Sequence, residues 1–512
     1  MRKQWLKCLA IAVGMGVGPV VTAAGSGLES LNNADLKRIV KTELGAEQFD
    51  LASFELPRES GVGFFVAAEI DGAEYTLDLL PHSLRSGAFE VLVDDGTGEL
   101  TSWDAPAPMT YRGSVVEIAD SVVSASIVDG GLRGIIRFGD DQAYSITPLM
   151  EVVDGAPADA HLILEADDSL PLGFICGNDA LNGFGDHPGD LHSHGQEGFV
   201  SDDPGVGIDD ILLAEIAFDA DVEFYNRNQQ SVSGTIADIE AVMNDVDVIY
   251  QRDVEVAYLI TTIIVRTGEP DPYSSTNAGT LLDQFQSEWN RNQGGVQRDV
   301  AHLMTGKNLQ GGTIGVAYLG VICARSVAYG LSESRFTSRW DWRVGLTAHE
   351  LGHNWNAGHC RSSCSGGTDC RIMCPCIGGC SGDMTRFGQA SINAITNFRN
   401  SRNCLDPYFE LLLEVGDLNS GQNANFSVSD GTPNEVVRVY YSLRGEGDCF
   451  IPEFGVSLNL DRCVLGLSGV TDGSGSESWV SRMPSVNRAV VLWIQAAQPD
   501  VISNLVLTQL NP

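Results

Sequence analysis

The segment Thr347-Ala-His-Glu-Leu-Gly-His-Asn-Trp-Asn-Ala-Gly-His359 decides how the rest of the chain is read. On a helix, His349 and His353 stand one turn apart, so both imidazoles leave the same face and can meet one cation. Glu350, one step round, flanks that cation without binding it. His359 supplies a third imidazole and leaves one position open for water, which is the donor set of a catalytic zinc ion. For His359 to reach the cation, the helix must end and the chain must double back between Asn354 and Gly358. Asn356 suits that turn, because asparagine is second only to glycine in accepting left-handed backbone. The competing reading is a buried helix whose histidines only hydrogen-bond; the third His at this spacing speaks against it.

Beyond His359 comes Arg371-Ile-Met-Cys-Pro375. With that stretch the sequence resembles the metzincin zinc metalloproteases, and among them the adamalysin/reprolysin-like family (ADAM-like, M12B). The resemblance implies a Met-turn at Met373 beneath the zinc. It also implies an α/β protease domain with a mixed sheet and an active-site helix, acting on protein or peptide substrates. Two departures stand out: Asn356 where most metzincins have Gly, as in thrombospondin-type relatives, and Cys360 where the family usually has Asp.

At the start of the chain, the basic Met1-Arg-Lys-Gln-Trp-Leu-Lys7 is followed by an apolar run from Cys8 to about Ala23 and a small-residue stretch, Val-Thr-Ala-Ala-Gly. This reads as a signal peptide over 1–24, and hence a secreted product. No later stretch approaches the roughly 20 apolar residues that span a bilayer, so no membrane insertion is expected. The 512 residues suit about three domains. A formal net charge of −37 argues against nucleic acid or an anionic membrane as partner, since both would repel it.

Residues 25–205 alternate short extended segments with Gly/Asp turns: Tyr111-Arg-Gly113, Ser121-Val-Val-Ser-Ala-Ser126, Gly131-Leu-Arg-Gly134 and Tyr144-Ser-Ile-Thr-Pro-Leu149. Their order is similar to that of the reprolysin-family propeptide, so a mostly β propeptide is expected. Cys176, in Phe174-Ile-Cys-Gly-Asn178, is the only cysteine between the first segment and Cys323. A thiolate there can be a fourth zinc ligand that keeps a zymogen silent, as in the family's cysteine switch. An intermolecular disulfide or an idle thiol are the alternatives. His187, His192 and His194 read as a solvated hinge. The linker from about 178 to 209 carries no dibasic processing site.

From 206 to 407 the pattern turns to strands and amphipathic helices: a strand at Ile211–Phe218, a helix from Thr235 to Tyr250, a strand from Val254 to Val265 and a helix from Thr280 to Asn290. Gly312–Tyr318 looks like the family's edge strand, which would hold a peptide as an added strand. In the expected reaction Glu350 is the general base. The residues after Met373, Pro375 to Gly379, are expected at the specificity pocket.

Setting aside Cys8 and Cys176 leaves ten cysteines, enough for five disulfides. The resemblance implies a long-range Cys323–Cys404 bridge, and Cys449 with Cys463 would pair in the C-terminal region. Cys360, Cys364, Cys370, Cys374, Cys376 and Cys380 read as three disulfides of undetermined pairing, against a second metal cluster. Glu215, Asp299 and Asp406 align with the family's structural calcium site, with Asp406 one residue out of register. Ala390 replaces a cysteine common in the family.

Residues 408–512 carry Gly/Ser/Asn turns and short β runs such as Val436–Tyr441, Val456–Leu460 and Ala489–Ile494, a small β-sandwich without catalytic chemistry. The whole reads as a secreted zinc endopeptidase made as a zymogen. The rival is an extracellular binding or adhesion protein on a metzincin scaffold without turnover; the intact Glu350 weighs against it.

Overall fold

A computed structural model describes residues 33–512 apart from 59, 61–62, 140–141, 169–173, 179–210, 361–369, 378–379, 381–382, 409–410 and positions 430, 433, 448, 455, 474 and 500. The expected signal peptide, the three linker histidines and Cys364 lie outside the described residues.

The N-terminal body opens with α1 (Asn33–Ile39), followed by β1 (Asp50–Ser53), β2 (Phe64–Ile70), β3 (Ala73–Pro81), β4 (Arg85–Asp94) and β5 (Thr101–Trp103). The expected meander then appears as β6 (Thr110–Val115), β7 (Ser121–Val128), β8 (Gly131–Phe138), β9 (Gln142–Pro148) and β10 (Ala160–Glu165). Eight of these strands form one antiparallel sheet in the order β1-β10-β9-β8-β7-β6-β3-β2. Alternation puts Val66, Leu77, Leu79, Val123, Ile136 and Ile146 on its inner face, where they form one core.

β4 and β5 leave that sheet and join the central one, a pairing that nothing in the linear pattern announces. The central sheet runs β11 (Ile175–Cys176), β15 (Thr313–Ala317), β16 (Tyr329–Ser332), β14 (Val300–Met304), β12 (Leu212–Ala220), β13 (Val256–Arg266), β4, β5, with β17 (Asp406–Pro407) on β12. It is mixed: β13 runs parallel to both β12 and β4, whereas β15 and β16 are antiparallel. The N-terminal region therefore supplies strands at both edges of this sheet. β13 is buried along its full length, as expected of a strand covered on both faces and both edges.

Among the described residues five helices accompany the sheet: α2 (Val222–Arg227), α3 (Val232–Val254), α4 (Ala278–Asn292), α5 (Trp340–Asn354) and α6 (Gln389–Arg399). Side-chain caps start three of them, with Asp221, Ser231 and Asn277 accepting from Phe224, Gly234 and Thr280 N–H groups. α3 is longer than its apolar spacing suggests, because Ser231 caps it early and Glu255, at φ 53°, stops it late. Its apolar stripe, including Ile239, Val242, Met243 and Val246, enters the main core with Leu351 and Met373. Its polar side meets the N-terminal body. Arg85 Nε donates to Glu240 at 2.5 Å, and Arg112 donates to Asn244 Oδ1 and Asp247 Oδ2 at 2.8 Å each. Arg266 of β13 closes the junction from below, bonding Asp94 of β4 at 2.8 Å and Asp219 of β12 at 2.9 Å.

The C-terminal body has two β layers. One contains Leu412–Val415, Asn423–Ser429 and Glu477–Arg482; the other contains Val436–Ser442, Val464–Val470, Val490–Gln498 and Val506–Leu510. Leu413, Phe426, Val437, Val439 and Ile494 from the two layers share one core. No described helix is long and apolar enough to cross a membrane.

Candidate metal centre

α5 carries the first two imidazoles inward, and every residue of the helix is buried. The helix ends at Asn354. Asn356 follows with φ 71°, and the chain doubles back as Ala357 N–H donates to Gly352 O at 2.9 Å. His359 arrives on this return. His349 Nε2 then lies 3.1 Å from His353 Nε2 and 3.2 Å from His359 Nε2.

Those separations fit a single ion. Nitrogens held tetrahedrally at about 2.0–2.1 Å from zinc are about 3.3 Å apart, and a thiolate at about 2.3 Å sits about 3.6 Å from each. Cys176 Sγ is 3.5 Å from His353 Nε2, and the four donor atoms all lie within 4.8 Å of one another. The far side of two rings is fixed as well. His349 Nδ1 faces Ile372 O at 2.6 Å and His353 Nδ1 faces Ala357 O at 2.7 Å, which puts the proton on Nδ1 and leaves Nε2 to bind. Burial pushes His349 down to about 3 and His353 well below its usual value, so both are neutral, as ligands must be.

Cys176 is held by a strap, residues 174–178, lying between the edge strand and the chain after Met373. On one side β11 pairs parallel with β15, Ile175 opposite Thr313 and Cys176 opposite Gly315. On the other, Cys176 N–H donates to Pro375 O at 3.0 Å and Ile377 N–H donates to Phe174 O at 3.2 Å. Asn178 Oδ1 caps the strap by accepting from Ala317 N–H at 3.1 Å.

Glu350 lies beside the donors. Its Oε2 is 3.7 Å from Cys176 Sγ, while Oε1 has no hydrogen-bond partner. Burial raises its carboxyl well above the usual range. The carboxylate packs against the backbone of Gly315: a Cβ there would meet its oxygen and stand 2.8 Å from its Cδ. Met373 lies beneath α5, where Gly352 makes room for it; a Cβ on Gly352 would be 2.7 Å from the Met373 sulfur. The sequence singled out Met373, but gave no sign that Gly315 and Gly352 are contact glycines. Phe174 is a further participant without a sequence signal.

The cysteines around the site are joined as Cys360–Cys370 and Cys374–Cys380, and Cys376 is disulfide-bonded too. That arrangement uses them in staples and not in a second metal cluster. Cys323–Cys404 and Cys449–Cys463 are also formed. Asp299 Oδ2 accepts from Glu215 N–H at 2.9 Å, and Asp406 pairs with Leu213 across β17 and β12. Burial first, then the backbone contact and the charges of Glu215 and Asp406, set Asp299 at about 6. Among the described residues, Glu215, Asp299 and Asp406 do not gather three donor atoms within 4.8 Å of one another.

The family model Reprolysin_5, described as metallo-peptidase family M12, matches residues 214–404. Snake venom metalloproteinase atroxlysin-1 of Bothrops atrox is 31% identical over 157 residues, covering 30% of this chain and 74% of that protein.

Proposed function

The chain belongs to the reprolysin-like M12 metallopeptidases, and from that premise we propose that it is a secreted zinc endopeptidase made as a zymogen, with Glu350 as general base. The observation that carries the reading is the convergence of three Nε2 atoms and one thiol on a single point beside Glu350. Zinc bound there would supply Lewis-acid polarisation of a peptide carbonyl and acidification of a water.

The chain's own groups do the rest. His349, His353 and His359 would hold the ion, with Ile372 O and Ala357 O fixing the first two rings. The edge strand β15 offers backbone groups on which a peptide lies as an added strand, the role β11 fills in this structure. Glu350 takes the water's proton and delivers it to the leaving amine. While the strap is seated, Glu350 is buried. The strap silences the site by lying where a peptide would lie on β15 and by setting its thiol among the three imidazoles.

On this reading, residues 25–205 are the propeptide, 206–407 the catalytic domain and 408–512 an accessory module. The disulfides fit an oxidising, extracellular compartment. Calcium at Glu215, Asp299 and Asp406 is left out of the reading.

The test is turnover of an unfolded protein substrate by the full chain carrying Cys176→Ala and cut within 179–210. We expect cleavage that a chelator abolishes and that Glu350→Ala lowers by about 10³-fold with zinc content unchanged. A folded, zinc-loaded preparation that cleaves no protein substrate would favour the non-catalytic binding or adhesion scaffold.

A further inference from the structure

Cys360 directly follows the third imidazole, where the family usually has Asp, and here it forms a disulfide with Cys370, ten residues on. Cys370 is buried and opens the turn that contains Met373: Met373 N–H donates to Cys370 O and Cys374 N–H to Arg371 O, each at 3.1 Å. The turn is anchored from outside. Ile372 N–H donates to Arg386 O at 3.2 Å, and Arg371 Nη1 pairs with Asp383 Oδ2 at 3.0 Å. Its inner side faces the ligands. Ile372 O, two residues past Cys370, holds His349 Nδ1 at 2.6 Å, and Met373 O accepts from Cys360 N–H at 3.2 Å. One covalent bridge and one backbone hydrogen bond therefore tie the residue after His359 to the turn whose carbonyl aims His349. His353 is served differently, by Ala357 O four residues on, within the return of its own helix.

We propose that Cys360 and Cys370 are positioning residues of the metal centre, whose bridge sets His359 and, through Ile372 O, His349 as one unit. The inference rests on the zinc reading above and concerns what holds the ligands in place. An imidazole on a segment that is free to move must be ordered each time the ion binds, at a cost in entropy. A bridge across ten residues removes much of that cost in advance. An acidic side chain at position 360 would act through hydrogen bonds alone, whereas this link is covalent and independent of protonation. The rival is a bridge that only staples the fold, as Cys449–Cys463 does in the C-terminal body. That rival predicts the same zinc affinity with and without the bridge.

Two arms test it on the whole chain, both reading zinc affinity by competition with a chromogenic chelator, so that neither needs turnover. In the first, Cys360→Ser with Cys370→Ser is compared with the unaltered chain and with Cys449→Ser plus Cys463→Ser. Affinity should fall at least about 10-fold without the first bridge and less than about 2-fold without the remote one. Unchanged affinity, or a like fall in both, overturns the inference. Metal-free thermal unfolding checks that each variant is folded. Should the serine pair lack a cooperative transition, Cys360→Val with Cys370→Ala, which leaves no polar atom in the buried position, is read in its place. Failure of both pairs to fold overturns the inference in favour of a general staple.

In the second, His359→Ala is made with and without the bridge. In the bridged chain it removes a placed ligand, and in the unbridged chain a loosened one. Its effect on zinc affinity should therefore be at least about 5-fold smaller without the bridge. Additive effects would show that the bridge does not act through His359 and overturn the inference while leaving the metal centre standing. An unaltered chain that binds no zinc would overturn the metal centre itself, and the inference with it.

Discussion

At Gly315 a single hydrogen atom decides whether Glu350 can lie against the edge strand. Gly315→Ala should leave zinc binding intact but turn the carboxylate away from the cleft, lowering turnover by about 10²-fold in steady-state kinetics. Asp245 makes a second prediction at this scale. It is buried under Ser124 of the N-terminal body and accepts from Trp340 Nε1 at 2.6 Å, and burial pushes its carboxyl up to about 6. Because the folded-state value lies above the unfolded one, the stabilisation from its extra proton is complete below about pH 4 and lost as pH rises through about 6. Asp245→Asn removes that dependence, so thermal unfolding should show the variant gaining on the parent by up to roughly 3 kcal/mol between about pH 4 and 7. A constant difference across that range would contradict the buried-carboxylate account. The convergence of His349, His353 and His359 beside Glu350 was legible in the sequence because helical spacing fixes which side chains share a face. Gly315 was not, because its partner lies 35 positions away on another element.

Among the elements, the C-terminal end of α5 matters most. Asn356 holds φ 71°, in agreement with the reading of the sequence. Asn356→Gly should be neutral or slightly stabilising, whereas Asn356→Val should cost about 1–2 kcal/mol in denaturant unfolding and weaken zinc binding by misplacing His359. Equal behaviour of the two variants would mean that the turn does not govern delivery of His359. The strands of the meander and of the central sheet were also foreseeable, since alternation and β-branched runs are local signals. The attachment of β4 and β5 to β13 was not. Strand pairing is set by non-local backbone bonds and by ion pairs such as Arg266 with Asp94, which no periodicity encodes. The pairing of the crowded cysteines was closed to the sequence for the same reason.

For the whole molecule, the N-terminal body is fastened to the central one by more than the strap. Arg339, fully buried at the start of α5, pairs with Asp341 at 3.0 Å and donates to the carbonyls of Leu44, Gly45, Glu165, Ala166 and Asp168. Together with β4 in the central sheet, this predicts that cutting within 179–210 leaves the two bodies in one complex. They should co-elute in gel filtration until denaturant is added. Arg339→Met should weaken that complex by roughly 3 kcal/mol, because the carbonyls it serves stay buried without their donor. Spontaneous separation on cutting would show that the covalent linker, and not these contacts, holds the bodies together. The central claim, that one zinc ion gathers three imidazoles and the strap thiol, is tested most directly by X-ray absorption at the zinc edge on the uncut chain. The account predicts one sulfur at about 2.3 Å with three nitrogens at about 2.0–2.1 Å, and loss of the sulfur alone in Cys176→Ala. A first shell of nitrogen and oxygen without sulfur in the uncut chain would contradict it.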